Sequence, residues 1–476
     1  MKESLLLAEI ALLFALLPGC RAPMGSSDRS DGCAGPMLQP DAGNRVEIER
    51  LAYRAADDST AVVPVELPEE EEESSDGLTL NAAIEQLLNA NYDLAAKFQD
   101  IPKARADILS AGLRNDPVLF ISATQLPYQR YTAQRPGTPL YDITLVQPVD
   151  ISGKHRTSIR VAEREYRVLE ARYQDAVRHE IDKLYMAWVD VLGARAARTT
   201  AQSDAANLAK LVETARRRVQ RGGLQARSEL TALSLRKARA ELAVQDAEVA
   251  LRRARRQLFV LLVLPERADS LKLTGSLHDR APPPPSTDEL IRVALKSRPD
   301  LISYRLTVER AQAQVRQARA EGIEDLFLFF SPYQASDFSA EGKQPANGWE
   351  IGVLLPFPAL NRNQGNVARA RSNVTQSGIE AESVEQQAIA EVRRAAMEYD
   401  VSRNEVRRYE RELLPGVRDI KDDKYRLYAS GNEAVDSYLI AQRDYNDVVR
   451  QYWEALIRHR RAMLELNTAV GQRILP

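Results

Sequence analysis

Along residues 435–470 one set of positions recurs at alternating steps of three and four. It comprises Val435, Tyr438, Gln442, Tyr445, Val449, Tyr452, Leu456, His459, Met463, Leu466 and Val470. This is the a/d spacing of a heptad, and it predicts a long helix with one face laid against other helices. A second, less apolar series runs through Ala226, Leu230, Leu233, Lys237, Ala240, Val244, Ala247, Leu251, Ala254 and Leu258. No proline falls between Pro148 and Pro265, so helix is expected from about 154 to 264, interrupted at Gly222-Gly223. At ~1.5 Å per residue, Lys154 to Arg221 alone would span roughly 100 Å. No compact domain holds such an element.

Other stretches alternate with period two. In "LYDITLVQ", Tyr141, Ile143 and Leu145 oppose Asp142 and Thr144. In "WEIGVLLP", Trp349, Ile351, Val353 and Leu355 oppose Glu350, Gly352 and Leu354. Each pairs with a more uniformly apolar stretch, "VLFISATQ" or "DLFLFFSP", across a polar loop at 127–139 or 332–348. Short strands with one apolar face and terminal aromatics suit a transmembrane barrel, with Tyr141 and Trp349 at the membrane interface. A soluble sheet packed on helices is the alternative.

These patterns occur twice. "AAIEQLLNANYDL" aligns with "ELIRVALKSRPDL", so that Ile84 matches Ile291, Leu88 matches Leu295 and Asp93-Leu94 matches Asp300-Leu301. The match continues through "VLFIS" against "DLFLFF" and "DITLVQPV" against "EIGVLLPF", and ends at two glycine breaks, Gly222-Gly223 and Gly431. The expected organisation begins with a signal peptide at 1–19 and a flexible linker at 20–77. A first repeat at 78–280 would carry strands near 117–125 and 140–148 and a helix hairpin near 154–264. After the proline-rich stretch 281–287, a second repeat at 288–476 would carry strands near 325–332 and 349–356 and a hairpin near 363–471. The fold class is mainly α with a small β part, built from duplicated helix–strand–strand–long helix hairpin units.

Composition adds three points. Lys and Arg (65) balance Asp and Glu (67), which argues against a dedicated nucleic-acid binder; the arginine-rich runs read as solvated faces. The only cysteines, Cys20 and Cys33, lie near the start, leaving the repeats without a disulfide or thiolate metal site. Leu5–Leu17 with its "LLPGC" ending reads as a secretory signal too short to span a bilayer, and nowhere else does an apolar run approach the ~20 residues of a membrane helix. That ending resembles a bacterial lipobox, which would lipidate Cys20, although Glu9 and Pro18 depart from the usual pattern; a plain signal peptide with an incidental cysteine is the alternative. No nucleophile elbow, P-loop, dinucleotide or zinc-protease motif is present, and the four histidines are scattered. The expectation is no enzyme and no cofactor.

Four strands cannot close a membrane barrel, and an open edge in lipid leaves unpaired backbone groups. If the strands enter a membrane, chains must therefore combine edge to edge. At this point the chain resembles the TolC-type outer-membrane factors of tripartite efflux systems. The duplicated plan, the lipobox-like start and "LPFPALNRNQGNVARARS" (355–372) carry the likeness, and the last of these is closest to the heavy-metal efflux subgroup. The resemblance implies a homotrimer with a 12-stranded outer-membrane β-barrel, four strands from each chain, and a periplasmic α-barrel tunnel. It implies a periplasmic adaptor (a membrane fusion protein) and an inner-membrane pump of the RND type as partners, with heavy-metal cations as one cargo class and drugs or polypeptides as another. A periplasmic coiled-coil scaffold without a pore is the alternative outside the family.

The glycine breaks then become hairpin turns at the periplasmic tip, where glycine supplies φ > 0 and Ser228 and Ser437 can cap the returning helix. Arg221, Gly222, Gly223, Leu224, Ser228, Gly431, Asn432, Asp436 and Ser437 are the candidate adaptor-facing residues. A helix kink at each glycine is the competing expectation.

Overall fold

The computed structural model describes residues 77–124, 140–220, 224–264, 273–278, 283–335, 346–430 and 432–475. Three short helices open the first repeat: α1 (Leu80–Ala90), α2 (Tyr92–Phe98) and α3 (Asp100–Gly112). Strands β1 (Val118–Thr124) and β2 (Leu140–Val149) follow, then the long helices α4 (Lys154–Gln220) and α5 (Leu224–Leu261). The second repeat reproduces this order with α6 (Thr287–Ser297), α7 (Pro299–Ala320), β3 (Leu326–Ala335) and β4 (Ala346–Leu354). It ends with α8 (Gln364–Arg408), a π-helical turn at Tyr409–Leu413, α9 (Leu414–Ala429) and α10 (Val435–Val470).

Local chemistry sets where the short helices begin. The Asn91 side chain accepts hydrogen bonds from the backbone N–H groups of Asp93 (2.8 Å) and Leu94 (3.0 Å), starting α2. In the second repeat Ser286 caps α6, and Pro299 occupies the first turn of α7, where its missing N–H is harmless.

The long helices differ between the repeats. α4 runs unbroken for 67 residues, about 100 Å at ~1.5 Å per residue. Its counterpart is divided by the π turn, and Pro415 and Gly416 follow at once. Pro415 has no N–H to bond back along the helix, so a wider turn just before it relieves the clash.

The core forms where helices from both repeats meet. Leu184, Trp188 and Leu192 of α4 pack with Leu258 and Phe259 of α5 and with Tyr452 and Leu456 of α10. A second cluster joins Leu290 of α6, Val392 and Tyr399 of α8, and Met463, Leu466 and Val470 of α10. A third, nearer the hairpin ends, holds Leu208, Leu211, Leu233, Tyr438 and Leu439. Of the heptad positions on α10, all but Val435 and Tyr445 are buried, so the spacing marks the packed seam. No helix among the described residues is long and apolar enough to cross a membrane.

Candidate functional site

β1 to β4 form one antiparallel sheet in the order β1-β2-β3-β4, with β2 pairing β3 across the two repeats. The register sorts the side chains onto two chemically different faces. One face carries Leu119, Ile121 and Ala123; Tyr141, Ile143 and Leu145; Leu328, Phe330 and Pro332; then Trp349, Ile351 and Val353. Among the described residues nothing covers the outer strands of this face: Ile121 is 68% exposed, Trp349 68% and Ile351 65%.

The opposite face is lined by Ser122, Asp142, Thr144, Ser331 and Glu350, with Phe120, Phe329 and Tyr333 among them. Asp142 accepts hydrogen bonds from Ser122 and from Thr144 (3.1 Å), and Thr144 is also bonded to Ser331 at 2.8 Å. A polar line thus crosses three strands. Phe329 and Tyr333 lie over Gly352 and Gly348, where any Cβ would run into their rings; the two glycines let large inward aromatics lie flat against the wall. One face of the sheet is thus apolar and exposed, and the other carries a line of hydrogen-bonded polar residues among its aromatics. Among the described residues both edge strands, β1 and β4, pair on one side only.

Below the sheet, each strand-to-helix junction is tied by a side chain. Asp150 accepts hydrogen bonds from the backbone N–H groups of Ser152 (3.0 Å), Gly153 (2.8 Å) and His155 (3.0 Å). Partial burial pushes the Asp150 carboxyl up, but these donors outweigh it and hold the group below its ordinary value. Gly153 takes φ +73°, and at the second junction Asn363 takes φ 59°, with its side-chain amide bonded to the Ala318 carbonyl at 2.8 Å.

Midway along the helices, the C-terminal end of α10 is clamped by cations. Arg298, 5% exposed, donates to Asp300 (2.7 Å), Glu391 (2.7 Å) and the Ala469 carbonyl (3.0 Å). Arg178 donates to the Thr468 carbonyl at 2.7 Å. Positive groups at the last carbonyls of a helix satisfy orphan acceptors and oppose its negative end. Burial raises the Asp300 carboxyl, but the hydrogen bonds and charge of Arg298 bring it below its ordinary value. The groove between α8 and α10 holds three arginines and three glutamates. Arg458 pairs there with Glu398 at 2.7 Å, so the groove largely neutralises itself.

At the hairpin ends, polar contacts join one hairpin to the other. Tyr428 of α9 donates to Glu229 of α5 at 3.1 Å. Tyr438 bonds Gln442 (3.1 Å), which bonds Asn446 (3.0 Å), and Asn446 in turn donates to Asp204 of α4. Tyr428 and Tyr438 stack with ring centroids 6.1 Å apart. Burial is the chief reason the Tyr438 phenol is pushed up to about 12, with Tyr425 and nearby carboxylates adding to it. None of Glu229, Tyr428, Asp204 and Asn446 was singled out by sequence reasoning. Partners up to 242 residues apart leave no local pattern.

The residues expected at the tip fall unevenly. Cys20, Arg221, Gly222, Gly223 and Gly431 lie outside the described residues. Leu224 begins α5, Ser228 is exposed on its first turns, and Asn432 is exposed just before α10. Asp436 is exposed in the first turn of α10, where an acid suits the positive helix end, and Ser437 beside it is half-buried. Ser437 and Lys424 both hydrogen-bond the Glu433 carboxylate and hold it below its ordinary value, Lys424 contributing most. Tyr141 and Trp349 both lie on the apolar face of the sheet. Among the described residues no group of His, Cys, Asp or Glu could hold a metal ion.

Residues 290–472 match the outer membrane efflux protein family. The chain is 26% identical over 415 residues to the cobalt-zinc-cadmium resistance protein CzcC of Cupriavidus metallidurans, covering 86% of this chain and 91% of that one. Among solved structures, the open state of the Neisseria gonorrhoeae MtrE outer membrane channel superposes with a TM-score of 0.66 at 17% identity, covering 88% of this chain and 99% of that one. VceC of Vibrio cholerae gives 0.65 at 19%, covering 83% and 96%. CusC, described in terms of transmembrane channel formation, gives 0.65 at 16%, covering 87% and 99%.

Proposed function

We propose, on the premise that this chain belongs to the outer membrane efflux protein family, that three copies form a passive duct across the outer membrane. The duct receives substrates from an inner-membrane pump of the RND type through a periplasmic adaptor and catalyses no reaction. The observation that carries this reading is the sheet: apolar on one face, with a hydrogen-bonded polar line on the other, and, among the described residues, unpaired at both edges. Backbone groups left unpaired in hydrocarbon cost several kcal/mol each, so edges in lipid must find edges. Three chains supply a closed wall of 12 strands, within the range of membrane barrels.

The long hairpins extend the lumen into the periplasm and end at Gly222-Gly223 and Gly431, where the adaptor docks. Lipid on Cys20 anchors the mature chain in the outer membrane. The similarity to CzcC favours heavy-metal cations as the cargo class, selected by the pump and not by the duct. Deleting the gene tests the reading. Cells should lose tolerance to divalent metals such as zinc and cadmium and regain it with the gene restored. Unchanged metal tolerance with accumulation of drugs would move the cargo class, and protein released by alkaline carbonate would exclude a barrel.

A further inference from the structure

The internal duplication specifies which residues meet between chains. Within one chain the two repeats already touch edge to edge, through β2 of the first and β3 of the second. Their register is Leu145↔Phe330, Gln147↔Leu328, Pro148↔Phe327 and Val149↔Leu326. The repeat alignment maps "DITLVQPV" onto "EIGVLLPF", so β2 corresponds to β4, and "VLFIS" onto "DLFLFF", so β1 corresponds to β3. The seam between repeats is therefore a template for the seam between molecules.

We infer that β4 of one copy pairs antiparallel with β1 of the next in the register Val353↔Ala123, Leu355↔Ile121 and Phe357↔Leu119, extending β4 from Leu354 to Phe357. The inference rests on the proposed assembly of three chains and goes beyond it in fixing the contact.

Three observations on the single chain agree. β4 stops at Leu354, whereas its counterpart β2 continues through Pro148 and Val149, both paired. The missing length is the apolar segment Leu355-Pro356-Phe357, which lies outside the sheet, with Leu355 52% and Phe357 84% accessible. Pro356 falls where Pro148 sits, so the mapped pairing asks for no N–H that β2 does not also lack. The faces match as well: Val353 lies on the apolar face, Leu355 and Phe357 would continue it if the strand were extended, and Leu119, Ile121 and Ala123 lie on the same face. A slip of one residue would set apolar-face positions opposite polar-face ones, because side chains alternate strictly along a strand. The helices below repeat the pattern. α7 packs on both α4 and α8, whereas α3 packs chiefly on α4 and leaves Leu109 and Leu113 bare. The side of α3 that the described residues leave open is where α8 of the neighbouring copy would lie.

The test is disulfide trapping in the full-length, membrane-inserted protein carrying Cys33→Ser. Directly paired antiparallel positions have Cα atoms about 4.5–5.5 Å apart, within disulfide reach, whereas a shift of two residues along one strand separates them by about 8 Å, beyond it. Leu355→Cys with Ile121→Cys should give covalent dimers and trimers on oxidation, and each single variant none, which also reads out any background from Cys20. The shifted pair Leu355→Cys with Ala123→Cys should form them at least about ten-fold more slowly. Faster trapping of the shifted pair overturns the register. So does failure of the matched pair in a protein that light scattering in detergent shows to be trimeric, and in that case the trimer stands. A monomer by light scattering overturns the register and the proposed assembly together.

Discussion

Replacing Arg298 with alanine should loosen the end of α10 without touching the sheet or the hairpin ends. The side chain is 5% exposed and donates to two carboxylates and the Ala469 carbonyl. Without it, Asp300, whose side chain is only 16% accessible, keeps Arg178 at 3.9 Å as its nearby cation among the described residues, and the Ala469 carbonyl loses the Arg298 donor. Breaking a buried pair by removing one partner costs about 3–5 kcal/mol. Arg178 remains, and Glu391 is 42% accessible, so the lower end applies, about 3 kcal/mol. Local opening should then be about 150-fold more frequent, at ~1.4 kcal/mol per decade. Hydrogen exchange by mass spectrometry on the detergent-solubilised protein should show this acceleration in peptides covering 460–470 and 290–302, and little change in 204–215. Glu391→Gln should have a far smaller effect, because an accessible ion-pair partner contributes about 0–1 kcal/mol. Acceleration below about three-fold, or a larger effect from Glu391→Gln, would refute the assignment of Arg298 as the clamp.

Other expectations follow from the same contacts. Asp300 sits below its ordinary value of 3.8, so its stabilisation is present above that pH and is lost as pH falls through the folded value; the deficit of Asp300→Asn in a denaturant titration should be largest at neutral pH and vanish in strong acid. Gly352→Val should reduce the heat resistance of the assembled protein on a gel, because its side chain collides with Phe329; unchanged resistance would remove the close-packed inner wall. Gly222→Val with Gly431→Val should leave insertion intact and abolish export, each position costing roughly 1–2 kcal/mol in a left-handed turn, whereas normal export with raised stability in the Gly→Ala pair would favour a continuous helix there. The intact mass of the mature chain should show lipid on Cys20, and an unmodified Cys20 removes that claim.

The sequence was most legible where a repeating chemical pattern and a structural period coincide. The three-four spacing on α10 marks its buried seam because one helix face meets several neighbours at once. Alternation through Tyr141, Ile143 and Leu145 identifies one face of the sheet because pleating sends neighbours to opposite sides. The π turn escaped notice. Its only local sign is Pro415-Gly416 in "ELLPGVRDI", which also suits the first turn of a new helix. Arg298 aligned with Asn91 across the repeats, but nothing in the sequence told that an arginine there is buried against the end of another helix. The contacts joining the hairpins, Tyr428 to Glu229 and Asn446 to Asp204, exist only once the long helices lie side by side.

The account depends most on chains closing one another's open sheets. Native mass spectrometry of the protein extracted from membranes in mild detergent measures this directly. Three chains in one particle, with the strand content of the sheet retained, is the result this account requires. A stable monomer with the same strand content would mean that β1 and β4 need no partner, and would contradict it.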